Sequence, residues 1–340
     1  MAWLLLMAWQ LFFYFDAFAE EPMTPLPFHL LGVSVSLLSA PVLFLYIKSL
    51  SSGLRQGWPW HLLHFLPFIL YNGVILYFHY AAASEVGIEQ GFFQFRGLIP
   101  EWVRTGAGLP LALSGGSYAS WSWYLLYQHQ RALPNYYSYT EEVNLNWLRY
   151  LVISLILVFL ILFILIRFRT ETFIAMDQLF IVVGLVLTVY VFIVGFLGLR
   201  QIPVFVDFPE ARPPVLTKEA YKHSGLDAKK SQQILQRLEQ CMQEERPYLN
   251  ENLSLAELAR KIEVRPNQLS QVINQEMGVN FFTFVNRYRI ETVKMHLKAP
   301  DRAHHTILAI AFDSGFRSKA SFNKIFKELT GQTPSQYRKS

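Results

Sequence analysis

The chain has 340 residues, 52% hydrophobic and 16% aromatic, with a formal net charge of +5. That length suits two domains, and the apolar content is well above that of an ordinary soluble protein. One cysteine, Cys241, excludes an internal disulfide and any Cys-rich metal centre; its place on a helical pattern gives it a packing role.

The charge is segregated. Residues 1–215 hold 10 Lys and Arg against 12 Asp and Glu, and residues 216–340 hold 20 against 13. The basic excess lies in residues 280–340, with 11 against 4. A nearly neutral apolar part therefore precedes a basic part suited to nucleic acid or an anionic lipid surface.

A bilayer-spanning helix needs about 20 mainly apolar residues. Six stretches meet or approach this, and they place a transmembrane domain over residues 1–200: Ala2–Ala19, Phe28–Leu50, His61–Tyr80, Thr105–Tyr127, Trp147–Ile166 and Leu179–Leu199. The fifth carries the uncharged run "YLVISLILVFLILFILI". The fourth holds "LSGGSYASWSW", whose small residues favour close helix packing. Lys48 and Arg55 fall in a loop without acids, which places that loop in the cytoplasm. Alternation then puts "AAASEVGIEQGFFQFRGLIPEW" outside, "QHQRALPNYYSYTEEVNLN" inside, and both termini inside. Arg167 and Arg169, in a turn assigned outside, count against this order. "AFA" at Ala17–Ala19 also resembles a signal-peptidase site, although no Lys or Arg precedes it. Cleavage there would leave five spans with the C-terminus still cytoplasmic.

Polar residues at membrane depth mark candidate function. These are Asp16, His29, His64, Asn72, His79 and Ser117. Each is more often structural than ligand-binding, and no spacing suggests a metal pair, a nucleophile with its base or a transport relay. The sensed ligand stays unknown, no cofactor or metal site is expected, and the chain is not read as an enzyme.

Residues 201–227 carry Pro203, Pro209, Pro213 and Pro214, a density that blocks a continuous helix and marks a linker. The C-terminal domain spans residues 228–340. Leu255, Leu258, Ala259 and Ile262 form one apolar face, and "EVRP" leads to a second helix with Leu269, Val272 and Ile273 inward. Two short helices with a tight turn make a helix-turn-helix unit over about 254–275. The outer face of its second helix carries Asn267, Gln268, Gln271 and Asn274, and amide side chains suit adenine edges in the major groove. By itself this is also one corner of any helical bundle.

The pattern repeats over about 306–329, after a joining helix of about 18 residues that spans about 27 Å. Ile307, Ile310 and Ala311 face inward, Gly315 turns the chain, and Ser318 caps a helix whose Phe322, Ile325, Phe326 and Leu329 are apolar. The opposite face shows Ala320, Asn323, Lys324 and Lys327, with Lys319 in the first turn, which favours phosphate contact over a merely solvated face. Gly331 ends the helix, and Pro334 starts a short last one.

"AIAFDSGFRSKASFNKIFKELTGQTPSQYR" and the preceding unit resemble the AraC-type (AraC/XylS family) DNA-binding domain over about Leu249 to Lys339. The resemblance implies reading helices at Pro266–Gln275 and Ser318–Leu329. Base contacts then fall on Asn267, Ser270 and Gln271 and on Lys319, Asn323 and Lys324, with Arg317 and Ser318 at the second helix start. Arg265 stands where that family often has a capping Ser. "PVLFLYIKSL", "LLHFLPFILY", "NLNWLRYL" and "AYKHSGL" resemble membrane-embedded regulators of the same family in bacteria, which commonly have seven spans.

The expected fold is thus all-α, a polytopic transmembrane helix bundle followed by a cytoplasmic AraC-type domain with two helix-turn-helix units. The expected function is a bacterial inner-membrane, one-component transcription regulator, with activator as the working sense. Its implied partners are double-stranded promoter DNA, membrane lipid, RNA polymerase and a second copy of the chain. A transporter or enzyme with a DNA-binding tail, and a chromosome-to-membrane anchor, are the alternatives.

Overall fold

The computed structural model of the chain describes residues 2–16, 23, 25, 28, 31–32, 34–51, 58–80, 85–89, 92–96, 100, 109–139, 145–167, 181–182, 184–186, 188–193, 196 and 226–340. It divides into two compact units, Met1–Tyr127 with Asn146–Pro203 and Gln128–Leu145 with Val204–Ser340. The linker at 201–225, the "AFA" site, His29 and the turn holding Arg169 lie outside the described residues.

The first unit holds α1 (Ala2–Asp16), α2 (Ser36–Ser51), α3 (Leu66–Tyr80), α4 (Leu109–Ala132) as far as Tyr127, and α5 (Asn146–Arg167), the end of α4 belonging to the second unit. A short helical turn at Trp58–His61 and a tighter one at Leu62–Phe65 lead into α3. Pro41 lies within α2. Among the described residues one helix, Leu62–Tyr80, is long and apolar enough to cross a membrane, and Leu37–Ser51 and Gly184–Ile193 are shorter apolar helices. The 22 residues of α5 and the 24 of α4 give lengths of about 33 and 36 Å at 1.5 Å per residue.

This unit shows a wide apolar surface around a mixed interior. Leu62, Leu63, Ile69, Leu70, Tyr77, Leu157 and Leu160 are exposed, while Asp16, Asn72, Ser114, Ser122 and His61 are buried alongside Phe44, Ile47, Ile75 and Leu126. Two of these groups bond to a side chain or to backbone, whereas Ser114 Oγ and His61 Nε2 are buried without a hydrogen-bond partner among the described residues. Ser34 Oγ donates to Asn72 Oδ1 at 2.7 Å, Asn72 Nδ2 donates to the Phe68 carbonyl at 2.8 Å, and Asp16 accepts from the Met23 amide.

One two-stranded hairpin departs from the helical reading. Strand β1 (Glu85–Glu89) pairs antiparallel with β2 (Phe92–Arg96), Glu85 opposite Arg96 and Glu89 opposite Phe92. "EVGIE" and "FFQFR" alternate with a period of two and flank Gln90-Gly91, which is a hairpin signal that the reading of this stretch as a plain loop passed over.

The second unit contains α6 (Ala228–Glu244), α7 (Leu255–Lys261), α8 (Pro266–Glu276), α9 (Phe281–Lys298), α10 (Ile307–Asp313), α11 (Lys319–Thr330) and α12 (Pro334–Lys339). Side-chain caps start most of these helices: Asp227, Ser254, Asn280, Thr306, Ser318 and Thr333 each accept from a backbone N–H one turn on. Gly331, at φ +76°, ends α11.

Two cores stand side by side along α9. The first gathers Ile234, Leu238, Leu255, Leu258, Leu269, Val272, Phe281 and Phe284, with Cys241 buried among them. The second gathers Ile290, Val293, Ile310, Phe322 and Phe326. The first core also takes Leu133, Tyr136 and Tyr137, from the stretch between α4 and α5 that the sequence reads as an interhelical loop.

Candidate nucleic-acid interface

Each helix-turn-helix unit turns on a residue in the left-handed region. Glu263 has φ +57° and Gly315 has φ +90°. After it the chain folds back the same way in both: the Val264 amide donates to the Ala259 carbonyl at 2.9 Å, and the Phe316 amide to the Ala311 carbonyl at 3.1 Å. From there the units differ by a residue. In the first, Arg265 caps α8 two positions after the turn; in the second, Ser318 caps α11 three positions after it.

The extra residue decides the cap chemistry. Ser318 Oγ accepts from the Ser321 amide at 3.1 Å. An arginine side chain has no acceptor, so at Arg265 only the returning half of a capping box forms, the Arg265 amide donating to Gln268 Oε1 at 3.4 Å. Arg265→Ser should therefore raise the free energy of opening of α8 by about 1 kcal/mol. Hydrogen exchange across residues 266–276 of the full chain reads this; unchanged exchange would show that Pro266 and packing already fix the start.

The second reading helix presents the expected surface. Lys319, Asn323, Lys324 and Lys327 are exposed while Phe322, Ile325 and Phe326 are buried. Lys324 makes only a long contact, 4.0 Å, to Glu328. Ser318 acts through its cap. Arg317 is half-buried, with Nη1 donating to Asn252 Oδ1 at 2.6 Å and its guanidinium over the Tyr139 ring at 5.0 Å.

The first reading helix differs from its outward-facing expectation. Asn267 is exposed and Gln268 and Asn274 are half-buried, but Ser270 is 1% and Gln271 8% exposed. Its polar side chains bond within the helix. Asn274 Nδ2 donates to the Ser270 carbonyl at 2.9 Å, and Gln271 Nε2 donates to Gln275 Oε1 at 3.1 Å. Gln271 Oε1 is buried without a hydrogen-bond partner among the described residues. The matching positions in α11, one helix register along, are Asn323 and Lys324, both exposed. The two units therefore share a backbone but not a polar surface: the basic one is open, the amide-rich one largely self-bonded.

Between them lies a polar centre that the sequence reading missed. Arg289, on α9, is 2% exposed. Its Nε donates to the Tyr248 carbonyl at 2.8 Å and its Nη2 to the Asn250 carbonyl at 2.9 Å. The Ser138 carbonyl accepts from Nη1 at 3.2 Å and the Ser138 hydroxyl from Nη2 at 3.0 Å. Burial pushes the guanidinium pKa down to about 9, so it stays charged at neutral pH. A signal existed: Arg289 is in helical phase with Val285 and Val293, both in the apolar stripe.

No group of three or more His, Cys, Asp or Glu able to hold a metal occurs among the described residues. Comparison with known proteins bears on the C-terminal residues. Residues 258–340 match the family model described as Helix-turn-helix domain. An uncharacterized HTH-type transcriptional regulator of Staphylococcus aureus (strain COL) is 42% identical over 91 residues, which is 27% of this chain and 12% of that protein. The uncharacterized HTH-type transcriptional regulator YtdP of Bacillus subtilis (strain 168) is 36% identical over 86 residues, 25% of this chain and 11% of that one. The chain thus spans about 12% of the length of the first of these relatives. A solved structure from Listeria innocua, of a protein described as of unknown function, is 31% identical over 31% of this chain and 95% of its own, with a TM-score of 0.28.

Proposed function

We propose that the chain is a sequence-reading transcription regulator of the AraC type, whose apolar N-terminal unit sits in a bilayer and transmits a sensed state to the DNA-reading helices. The exposed Lys319, Asn323, Lys324 and Lys327 face of α11 carries the reading. It is built on a capped helix in the second of two matched helix-turn-helix units, and the proteins similar to this region bear the name of HTH-type regulators.

The apolar surface of the first unit supports the membrane half. Large apolar side chains of α3 and α5 meet the surroundings while Ser34 and Asn72 pair inside, the arrangement that a hydrocarbon solvent favours because unpaired polar groups are costly there. A single bound ligand need not touch DNA; a shift of the helices is enough if the two reading faces respond to it. In this reading the basic face holds phosphates and sets affinity, while the exposed Asn267 and Asn323 address bases.

The test is a DNA-binding titration on the full chain recovered from cell membranes. Lys324→Ala and Lys327→Ala should each weaken binding to every duplex and flatten the salt dependence by about 1 in slope. A salt slope unchanged by either substitution would overturn the placement of the phosphate contacts. Recovery of the chain from the soluble fraction alone would overturn the membrane half.

A further inference from the structure

The stretch Leu133–Tyr139 is built into the C-terminal unit. Leu133 and Tyr136 follow directly on α4, and Leu133, Tyr136 and Tyr137 are buried in the first core. Tyr137 pairs antiparallel with Ser254. The Leu255 amide donates to the Tyr136 carbonyl at 2.8 Å, and the Ser138 amide to the Leu253 carbonyl at 3.2 Å. The stretch is thus a tight helical turn at Leu133–Asn135 followed by one bridging residue, Tyr137, laid against the residues that open the first helix-turn-helix unit.

Ser138 then joins that unit to the rest. Its hydroxyl donates to the Leu253 carbonyl at 2.7 Å and accepts from Arg289. Its carbonyl takes Arg289 Nη1 and, at 3.3 Å, Asn286 Nδ2. One residue on, the Tyr139 ring lies under Arg317, in the turn of the second unit. Seven residues therefore touch the first unit, the joining helix and the second unit, and leave Lys319, Asn323, Lys324 and Lys327 uncovered.

We infer that Leu133–Tyr139 is an internal clasp through which the helices on either side of it in the chain, α4 and α5, set the mutual placement of the two DNA-reading units. The clasped form is the DNA-competent one. A helix-turn-helix pair reads one duplex only when both recognition helices hold a fixed separation and angle, and the clasp fixes both through Arg289 and Arg317. Withdrawal of the clasp would leave Arg289 without two of its acceptors and free Arg317 from Tyr139, so the units would lose their common frame. The inference rests on the DNA-reading role proposed above and names its regulation.

Linkage makes this testable, because a clasp that favours DNA must in turn be favoured by DNA. Hydrogen exchange is followed on the full chain in micelles, with and without a mixed-sequence duplex at low salt. The duplex should slow exchange of the Leu255 and Ser138 amides about tenfold, within the usual range of coupling between sites. Tyr137→Ala should speed the same amides and weaken duplex binding about tenfold. If Tyr137→Ala also loses protection along α11, the core itself has opened, and Ser138→Ala, which removes only the hydroxyl, decides: faster Leu255 exchange with weaker binding supports the clasp. Bound duplex that leaves the Leu255 and Ser138 amides unchanged overturns it, as does binding by Ser138→Ala and Tyr137→Ala equal to wild type. Wild-type chain that binds no duplex overturns the DNA-reading role, and the clasp's regulatory sense with it.

Discussion

Gly315→Ala should open the second helix-turn-helix unit. At φ +90° the residue sits where only glycine is unstrained, and a non-glycine residue in such a region costs of order 1–3 kcal/mol. Space adds to this. A Cβ at Gly315 would overlap the Tyr248 carbonyl oxygen and stand 3.0 Å from both Arg289 Nε and the Leu249 carbonyl. The Tyr248 carbonyl cannot retreat cheaply, because it already holds Arg289. A total near 3–5 kcal/mol places the change among the severe substitutions. Gly331→Ala is the matched control: its φ is +76°, yet a Cβ there meets nothing within 4 Å, so only the backbone cost of about 1 kcal/mol applies. Native-state exchange of α10 and α11 in the full chain measures both. Equal losses at the two glycines would show that crowding at the Tyr248 carbonyl contributes nothing.

Arg289→Met should loosen both units together. The substitution fills much of the space but leaves the Tyr248 carbonyl without its donor, while the Asn250 and Ser138 carbonyls keep only the Leu253 N–H and Asn286 Nδ2; a buried unsatisfied acceptor costs about 1–3 kcal/mol. Loss of a buried charge recovers part of that, so a net of about 1–2 kcal/mol is expected. Arg289→Lys keeps the charge but not the planar fork that reaches several carbonyls at once, and should fall between. The distinguishing readout is breadth: exchange should quicken at Leu255 and in α11 alike, whereas Gly315→Ala acts first on α10 and α11. If Arg289→Met leaves Leu255 protected, the clasp is held by its tyrosines and not by the guanidinium.

What the sequence made legible is local. The apolar row at Leu255–Ile262, its counterpart at Phe322, Ile325 and Phe326, the Ser318 cap, the Gly315 turn and the Gly331 stop each depend on neighbours within one or two turns, and the structure has them; Leu329, expected to extend the second row, is exposed. The hairpin was legible too, in its period-two alternation, but a polar stretch between two apolar runs reads first as a loop. Ser270 and Gln271 mislead for a different reason. Their position in the helix is that of Asn323 and Lys324, so periodicity for Gln271 and the family resemblance for Ser270 assign them the outer face, and only burial separates the two helices. The polar centre at Arg289 and the bridge at Tyr137 need partners far along the chain, Ser138 and Ser254, and no short window of sequence holds both halves.

That separation has a consequence for how the protein is made. Ser138 leaves the ribosome long before Arg289, and the bonds between them close a loop of 151 residues. Contacts so distant in sequence are reached late and lower the folding rate. During synthesis the stretch therefore waits, Tyr136 and Tyr137 uncovered, until α6 to α9 arrive to enclose it. A chain cut anywhere in the linker would part the helix-turn-helix pair from a piece of its own core, so the boundary between the two halves in sequence is not the boundary along which the molecule comes apart.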